Sequence, residues 1–291
     1  MKYQSNQRDD ESAAVGIVVT VLLIGLAVSV SVMIQNVYVP QWLEEKEAAH
    51  MDEVSNQFTE LKNTIDMQAM FEQPTSLSSW ITLGSRELPI FGIGRTFGTV
   101  TLLPKNINIT LESDLVDSAP LEYQLGTIEY YAGNTYFIDQ SYIYESGSLI
   151  LAQQSANMLL GAPSFLVTTY AQNISFTIID INGSIGKRTA AGYGTAPVMT
   201  EYKNGVDDIE ITLVVEATNI TIDTAYPNSW AIALNSTLAR SDSGFNSSEY
   251  TISTTDNQVV CRFHETPFQG YPTINVKRIR IFSQVSPGWI Y

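Results

Sequence analysis

Three patterns of apolar and polar residues follow one another along this chain. From Ala13 to Ile34 no charged side chain occurs for 22 residues. At about 1.5 Å per residue such a helix reaches roughly 33 Å, enough to cross a hydrocarbon core of about 30 Å. From Gln41 to about Phe71 the apolar positions thin to a stripe. Leu43, Met51, Val54, Phe58, Leu61 and Ile65 recur mostly at steps of three and four, with Glu and Lys on the other faces, which predicts an amphipathic helix. That stripe requires a partner, either a β domain of the same chain or neighbouring helices. Pro40 stands where one helix would end or bend before the next begins.

From about Ile81 the period shortens to two. Expected strands include Thr99–Leu103, Ile107–Leu111, Thr127–Tyr131, Thr135–Ile138, Leu149–Gln153, Phe165–Tyr170, Ile174–Ile179, Ile209–Val215, Tyr250–Thr254, Val259–Phe263 and Ile274–Phe282. Turn signals such as Glu145-Ser146-Gly147 and Asn182-Gly183 separate them. Ser229–Ala239 reads as a short surface helix on Trp230, Leu234 and Leu238. The expected fold is mainly β: a transmembrane helix continuing into an amphipathic helix, then an antiparallel β-sandwich-like ectodomain. Its segments are a cytoplasmic leader at 1–12, the span at 13–36, the amphipathic helix at 37–72, and β subdomains at 80–185 and 195–291. Gly183–Pro197 is either the junction of two subdomains or one long loop.

A cleaved signal peptide is the rival reading of the apolar run, but its core would be shorter, about 7–15 residues. Lys2 and Arg8 precede the run, which places the N terminus on the cytoplasmic side and the C-terminal bulk outside. Beyond the span lie 13 of the 15 Lys and Arg and 27 of the 30 Asp and Glu. That acidic balance repels nucleic acid. With Cys261 the single cysteine, no intrachain disulfide forms and the outer part rests on its own core. Six Asn-x-Ser/Thr sequons, at Asn108, Asn173, Asn182, Asn219, Asn235 and Asn246, all fall on the expected outer side as candidate N-glycosylation sites.

Candidate chemistry is sparse. His50, His264 and Cys261 offer little for a His/Cys metal site or a Cys–His dyad, and each reads as a packing or solvated residue. Gly183-Ser184-Ile185-Gly186-Lys187-Arg188 lacks the spacing of a phosphate loop and the companions of a Ser-x-x-Lys enzyme. Asp180-Ile181-Asn182-Gly183 and Asp207-Asp208 carry oxygen ligands suited to Ca²⁺, or are polar turns. Tyr123, Tyr130, Tyr131, Tyr136, Tyr142 and Tyr144 crowd one region, as cross-strand packing or as a surface for sugars or proteins. No catalytic residue, cofactor or metal site is expected.

Asp10-Glu11-Ser12-Ala13-Ala14-Val15-Gly16, Leu83-Gly84 with Gly98-Thr99-Val100, Tyr142-Ile143-Tyr144-Glu145-Ser146-Gly147 and Gly161-Ala162-Pro163-Ser164-Phe165 resemble segments of an archaeal type IV pilin-like family of uncharacterised cell-surface proteins. The resemblance covers nearly the whole chain. It implies outward display, a structural or adhesive role, and a homo-oligomeric, pilus-like assembly through the N-terminal helix. It also implies leader processing at Asn6 and Gln7, which would leave Glu11 fifth in the mature chain to neutralise a neighbour's amino terminus within an apolar filament core. The cut site departs from the family's pattern in lacking its Gly and Lys. Asp9, Asp10 and Glu11 read equally well as a solvated cluster at the membrane edge.

Overall fold

The computed structural model describes residues 3–84, 96–115, 119–154, 156–168, 173–183, 186–203, 205, 208–240, 243–265 and 270–286, with side chains from residue 14 onward. Helix α1 (Tyr3–Met33), a π-helical turn (Ile34–Tyr38) and helix α2 (Val39–Phe71) run end to end as stretches of 31, 5 and 33 residues. Of the two outcomes expected at Pro40, an end or a bend, the helix does not end there: the apolar stretch continues into the amphipathic one. A proline removes a donor and crowds the carbonyl four residues back. Here the preceding turn is widened, and the Val39 N–H donates to the Ile34 carbonyl five residues back, a π-bulge that absorbs the mismatch. The α2 stripe is buried as its spacing predicts: Leu43, Met51, Val54, Phe58, Leu61 and Ile65 all lie inside. Its partner is the β domain of the same chain.

The strands are β1 (Thr75–Thr82), β2 (Phe97–Ser113), β3 (Leu121–Gly133), β4 (Gln140–Glu145), β5 (Ser148–Gln153), β6 (Ala156–Gly161), β7 (Phe165–Thr168), β8 (Asn173–Gly183), β9 (Thr189–Gly192), β10 (Thr195–Tyr202), β11 (Ile209–Val214), β12 (Ala217–Asp223), β13 (Tyr250–Thr255), β14 (Gln258–Phe263) and β15 (Thr273–Val285), with helix α3 (Pro227–Leu238) between β12 and β13. One sheet runs β1-β10-β15-β8-β7, with β11 also on β15. The other runs β13-β14-β12-β2-β3-β4-β5-β6, with β9 on β2. Among the described residues all pairings are antiparallel except β8 with β15. The segments 80–185 and 195–291 both contribute strands to both sheets, because β2 pairs with β12 and β8 with β15.

Local sequence explains the joints. Ser146 and Gly147 both have positive φ (46° and 88°), the two-residue turn that matches the twist of a hairpin. The two strands expected at Thr99–Leu103 and Ile107–Leu111 are one strand, β2, carrying an irregularity between Leu103 and Ile107. Thr135–Ile138 is a loop rather than the strand expected there, because its amides serve α2.

Two cores result. In one, Phe58, Leu61 and Ile65 of α2 meet Val100, Leu102, Ile128 and Tyr130 of the larger sheet and Ile279 and Ile281 of the smaller. In the other, Ile109, Leu125, Ile220 and Val259 meet Ile174, Phe176, Ile274 and Val276, with Trp230, Leu234 and Leu238 of α3 alongside. On β3, Tyr123 and Leu125 face the second core while Ile128 and Tyr130 face the first. The changeover is Gly126, where a Cβ would stand 2.0 Å from the Ile181 carbonyl oxygen. There β3 and β8 touch backbone to backbone, and only glycine allows it.

Candidate functional site

Three features carry surface chemistry: the bare helix, its junction with the head, and a cleft beside α3. Every side chain from Ala14 to Met33 is exposed. This helix is long and apolar enough to cross a membrane, and none of its most apolar window is buried in the protein. Its polar residues satisfy themselves: the hydroxyls of Thr20 and Ser29 donate to the carbonyls of Gly16 and Gly25, each at 2.8 Å, and Asn36 Nδ2 donates to the Val32 carbonyl at 2.9 Å. Such back-bonding lets a polar side chain sit where no water is available. Asn6, Gln7 and Glu11 lie on the α1 backbone; their side chains fall outside the described residues.

At the junction, buried Glu47 of α2 accepts backbone N–H bonds from Tyr136 and Phe137, both at 2.7 Å, and from Thr135 at 3.1 Å. One carboxylate thus fixes the β3–β4 loop to the helix. One turn on, His50 Nε2 lies 3.0 Å from the Tyr130 hydroxyl, which itself donates to the Leu83 carbonyl at 2.9 Å. By donor accounting Nε2 carries the proton. Burial pushes the His50 value down, against the opposing pull of Glu53 and Glu47. His50 packs; it is not poised for catalysis. His264 is exposed and pairs with Thr251 at 2.8 Å, and Cys261 is buried, its thiol pushed up to about 12 by burial.

The sequons fall into two groups. Asn173, Asn182, Asn235 and Asn246 are exposed. Asn108 and Asn219 are half-buried on the larger sheet, where Asn108 Nδ2 donates to Asp223 at 3.5 Å and Asn219 Nδ2 to Glu112. Asn246 Nδ2 likewise donates to Glu249 at 3.3 Å; since Nδ2 is the atom a glycan would take, Asn173, Asn182 and Asn235 are the better disposed. Asp180 is engaged by the Arg278 guanidinium at 2.6 Å, by Arg280 at 3.7 Å and by the Gly126 N–H at 3.2 Å. Asp208 faces Arg280 at 4.0 Å. Of the two readings given above, Ca²⁺ ligands or polar turns, neither describes the bonds these carboxylates make to arginines; Asp207 lies outside the described residues.

Of the six gathered tyrosines, Tyr130 and Tyr142 face each other across β3 and β4, and both are buried with Tyr123 and Tyr144. Tyr131 and Tyr136 are exposed. Tyr131 opens onto a cleft of about 470 Å³ lined also by Asp139, Ser141, Ala152, Gln153, Asn157 and Tyr226. It lies on the face of the larger sheet opposite α2, beside the start of α3. Asp139 is held by the Asn134 N–H at 2.8 Å and faces the Tyr131 hydroxyl at 3.4 Å. Asn157 Oδ1 accepts from Ser229 at 2.7 Å.

Behind the cleft sits Glu145. Its Oε2 accepts from Trp230 Nε1 at 3.0 Å and from Thr224 Oγ1 at 2.9 Å, and its Oε1 has no partner. Burial pushes its carboxyl up to about 7 despite those two donors, and the charge of Glu129 adds to the rise. Burial alone raises Glu129. Tyr226 is raised by burial and by both carboxylates. Sequence reasoning missed Glu145 and Glu47 as structural carboxylates, and nothing local marks either one. Comparison with protein-family models, with curated proteins and with solved structures finds no match.

Proposed function

We propose that the chain is a pilin-like, membrane-anchored archaeal cell-surface protein of structural or adhesive role, a filament subunit through its N-terminal helix. The observation that carries this reading is the division of one unbroken helix. Residues 14–33 are apolar and wholly uncovered, while eleven side chains of α2 are buried in the β head. An uncovered apolar rod needs lipid, the rods of other copies, or each in turn. The exposed sequons, the basic residues Lys2 and Arg8 before the span, and Tyr38 and Trp42 just beyond it, their rings 6.1 Å apart, support an outward head with an aromatic belt at its base.

The second reading, a single-pass surface binding protein that never polymerises, is favoured by the solvent-open cleft. Mass spectrometry of the mature N terminus, with electron microscopy of sheared surface material, separates them. Cleavage before Gln7 together with filaments supports the subunit, and an intact Met1 with no filaments supports the anchor. Added protease that spares the head on intact cells refutes both.

A further inference from the structure

The cleft beside α3 gathers an aromatic ring, a carboxylate and side-chain amides. Tyr131 is 47% exposed, much as Phe97 and Tyr193 are elsewhere, but it alone of these rings opens onto a cleft that also gathers a carboxylate and side-chain amides. Asp139 steadies that ring through its hydroxyl, and Asp139 is itself anchored by the Asn134 amide. Tyr226 forms part of the lining just before α3, and Gln153 and Asn157 bring planar amides on the β5–β6 hairpin. Asn157 uses its oxygen on Ser229, so its amide nitrogen remains a donor.

The volume lies within the range of small-molecule sites, about 300–1,000 Å³. A pyranose ring presents an apolar C–H face suited to a tyrosine and a rim of hydroxyls suited to amides and a carboxylate. We propose that this cleft is a binding site for a neutral saccharide, with Tyr131 the platform and Asp139, Gln153 and Asn157 the polar partners. The proposal goes beyond the anchoring function and does not depend on polymerisation. The cleft lies on the sheet face away from α2, so packing of the rods leaves it open.

The test uses the full chain in micelles of a sugar-free zwitterionic detergent, probed by saturation-transfer NMR. The probes are the methyl glycosides of glucose, galactose, mannose and N-acetylglucosamine. At least one should give a saturable signal, and Tyr131→Ala should weaken it about tenfold, the loss of one stacking surface. Tyr131→Phe, which keeps the ring, should retain most of the affinity. Tyr136→Ala, a substitution of an exposed tyrosine outside the cleft, should leave it unchanged and controls for folding. Binding both with and without N-glycans points to an external sugar. Binding confined to the unglycosylated chain means that a glycan of the protein itself fills the cleft. The proposal falls if no glycoside saturates in either preparation, or if Tyr131→Ala binds as well as the parent.

Discussion

Replacing Glu145 with Gln should stabilise the head at pH 8 and remove a pH dependence at lower pH. The Glu145 carboxyl sits at about 7 in the folded protein, against an ordinary value of 4.5. Between those values the folded state holds its proton more tightly than the unfolded chain, so stability falls as pH rises through the window. Below 4.5 both states are protonated and the penalty is absent; above 7 it is complete. At 1.36 kcal/mol per unit the gap amounts to about 3 kcal/mol. Gln keeps an acceptor for Trp230 and Thr224 and carries no charge. Its amide nitrogen inherits the position that lacks a partner, which costs about 1–2 kcal/mol. The net expectation at pH 8 is a gain of about 1–2 kcal/mol. Denaturant unfolding followed by tryptophan fluorescence at pH 5, 6, 7 and 8 reads both quantities. A variant that keeps the parent's slope, or loses stability at pH 8, would show that the carboxylate is solvated or paired and refute the reasoning.

Other substitutions probe the joints. Gly126→Ala should prevent the two sheets from closing, since its Cβ would meet the Ile181 carbonyl at 2.0 Å; loss of dispersed amide resonances or of soluble expression would report it. Glu47→Ala leaves three loop amides without their acceptor and should cost about 2–4 kcal/mol, with new proteolytic cleavage at residues 133–139 as the direct sign. His50→Gln should flatten the acid side of the stability curve. The His50 value is depressed by burial from 6.5, so the unfolded chain takes up the proton first and stability is lost as pH falls below 6.5. Leu22→Arg places a charge mid-span and should oppose insertion by about 2.5–3.5 kcal/mol, shifting the chain from the membrane fraction to the soluble or degraded pool.

What was legible in the sequence was periodic. The stripe from Leu43 to Ile65, the Ser146-Gly147 turn and the helix on Trp230, Leu234 and Leu238 all follow from spacing and turn chemistry, and all are present. Strands β10 and β12 escaped, because Pro197 in one and Asn219 in the other interrupt their β-branched runs. Both find their partners far along the chain, β10 on β1 and β12 on β2. The loop at Thr135–Ile138 misled for the opposite reason: its residues favour strands, but the Glu47 carboxylate, 88 residues away, binds their amides first. Glu145 likewise looks like an ordinary strand end until Trp230, 85 residues on, covers it. The cleft draws on three separate stretches around residues 131–141, 152–157 and 225–226, none of which is distinctive alone.

The unbroken helix has a mechanical consequence for the proposed anchoring. A proline between a membrane span and a soluble domain usually marks a hinge, because the chain loses a hydrogen bond and bends there. Here the π turn at Ile34–Tyr38 restores the ladder ahead of Pro40, and Val39, Leu43 and Glu47 are already buried in the head within the next two turns. The first buried side chain of α2 thus comes six residues after the last residue of α1, Met33. Little free helix separates the two, so the tilt of the span sets the tilt of the head. In an assembly of packed rods that coupling would hold every cleft at one angle to the axis. Deleting Ser31 from the regular helix ahead of the π turn, which turns all α2 side chains by about 100° relative to the span, should leave the isolated head folded and the span inserted. It should also abolish any ordered array in electron micrographs. Filaments of unchanged symmetry from that deletion would mean that the span and head are flexibly joined.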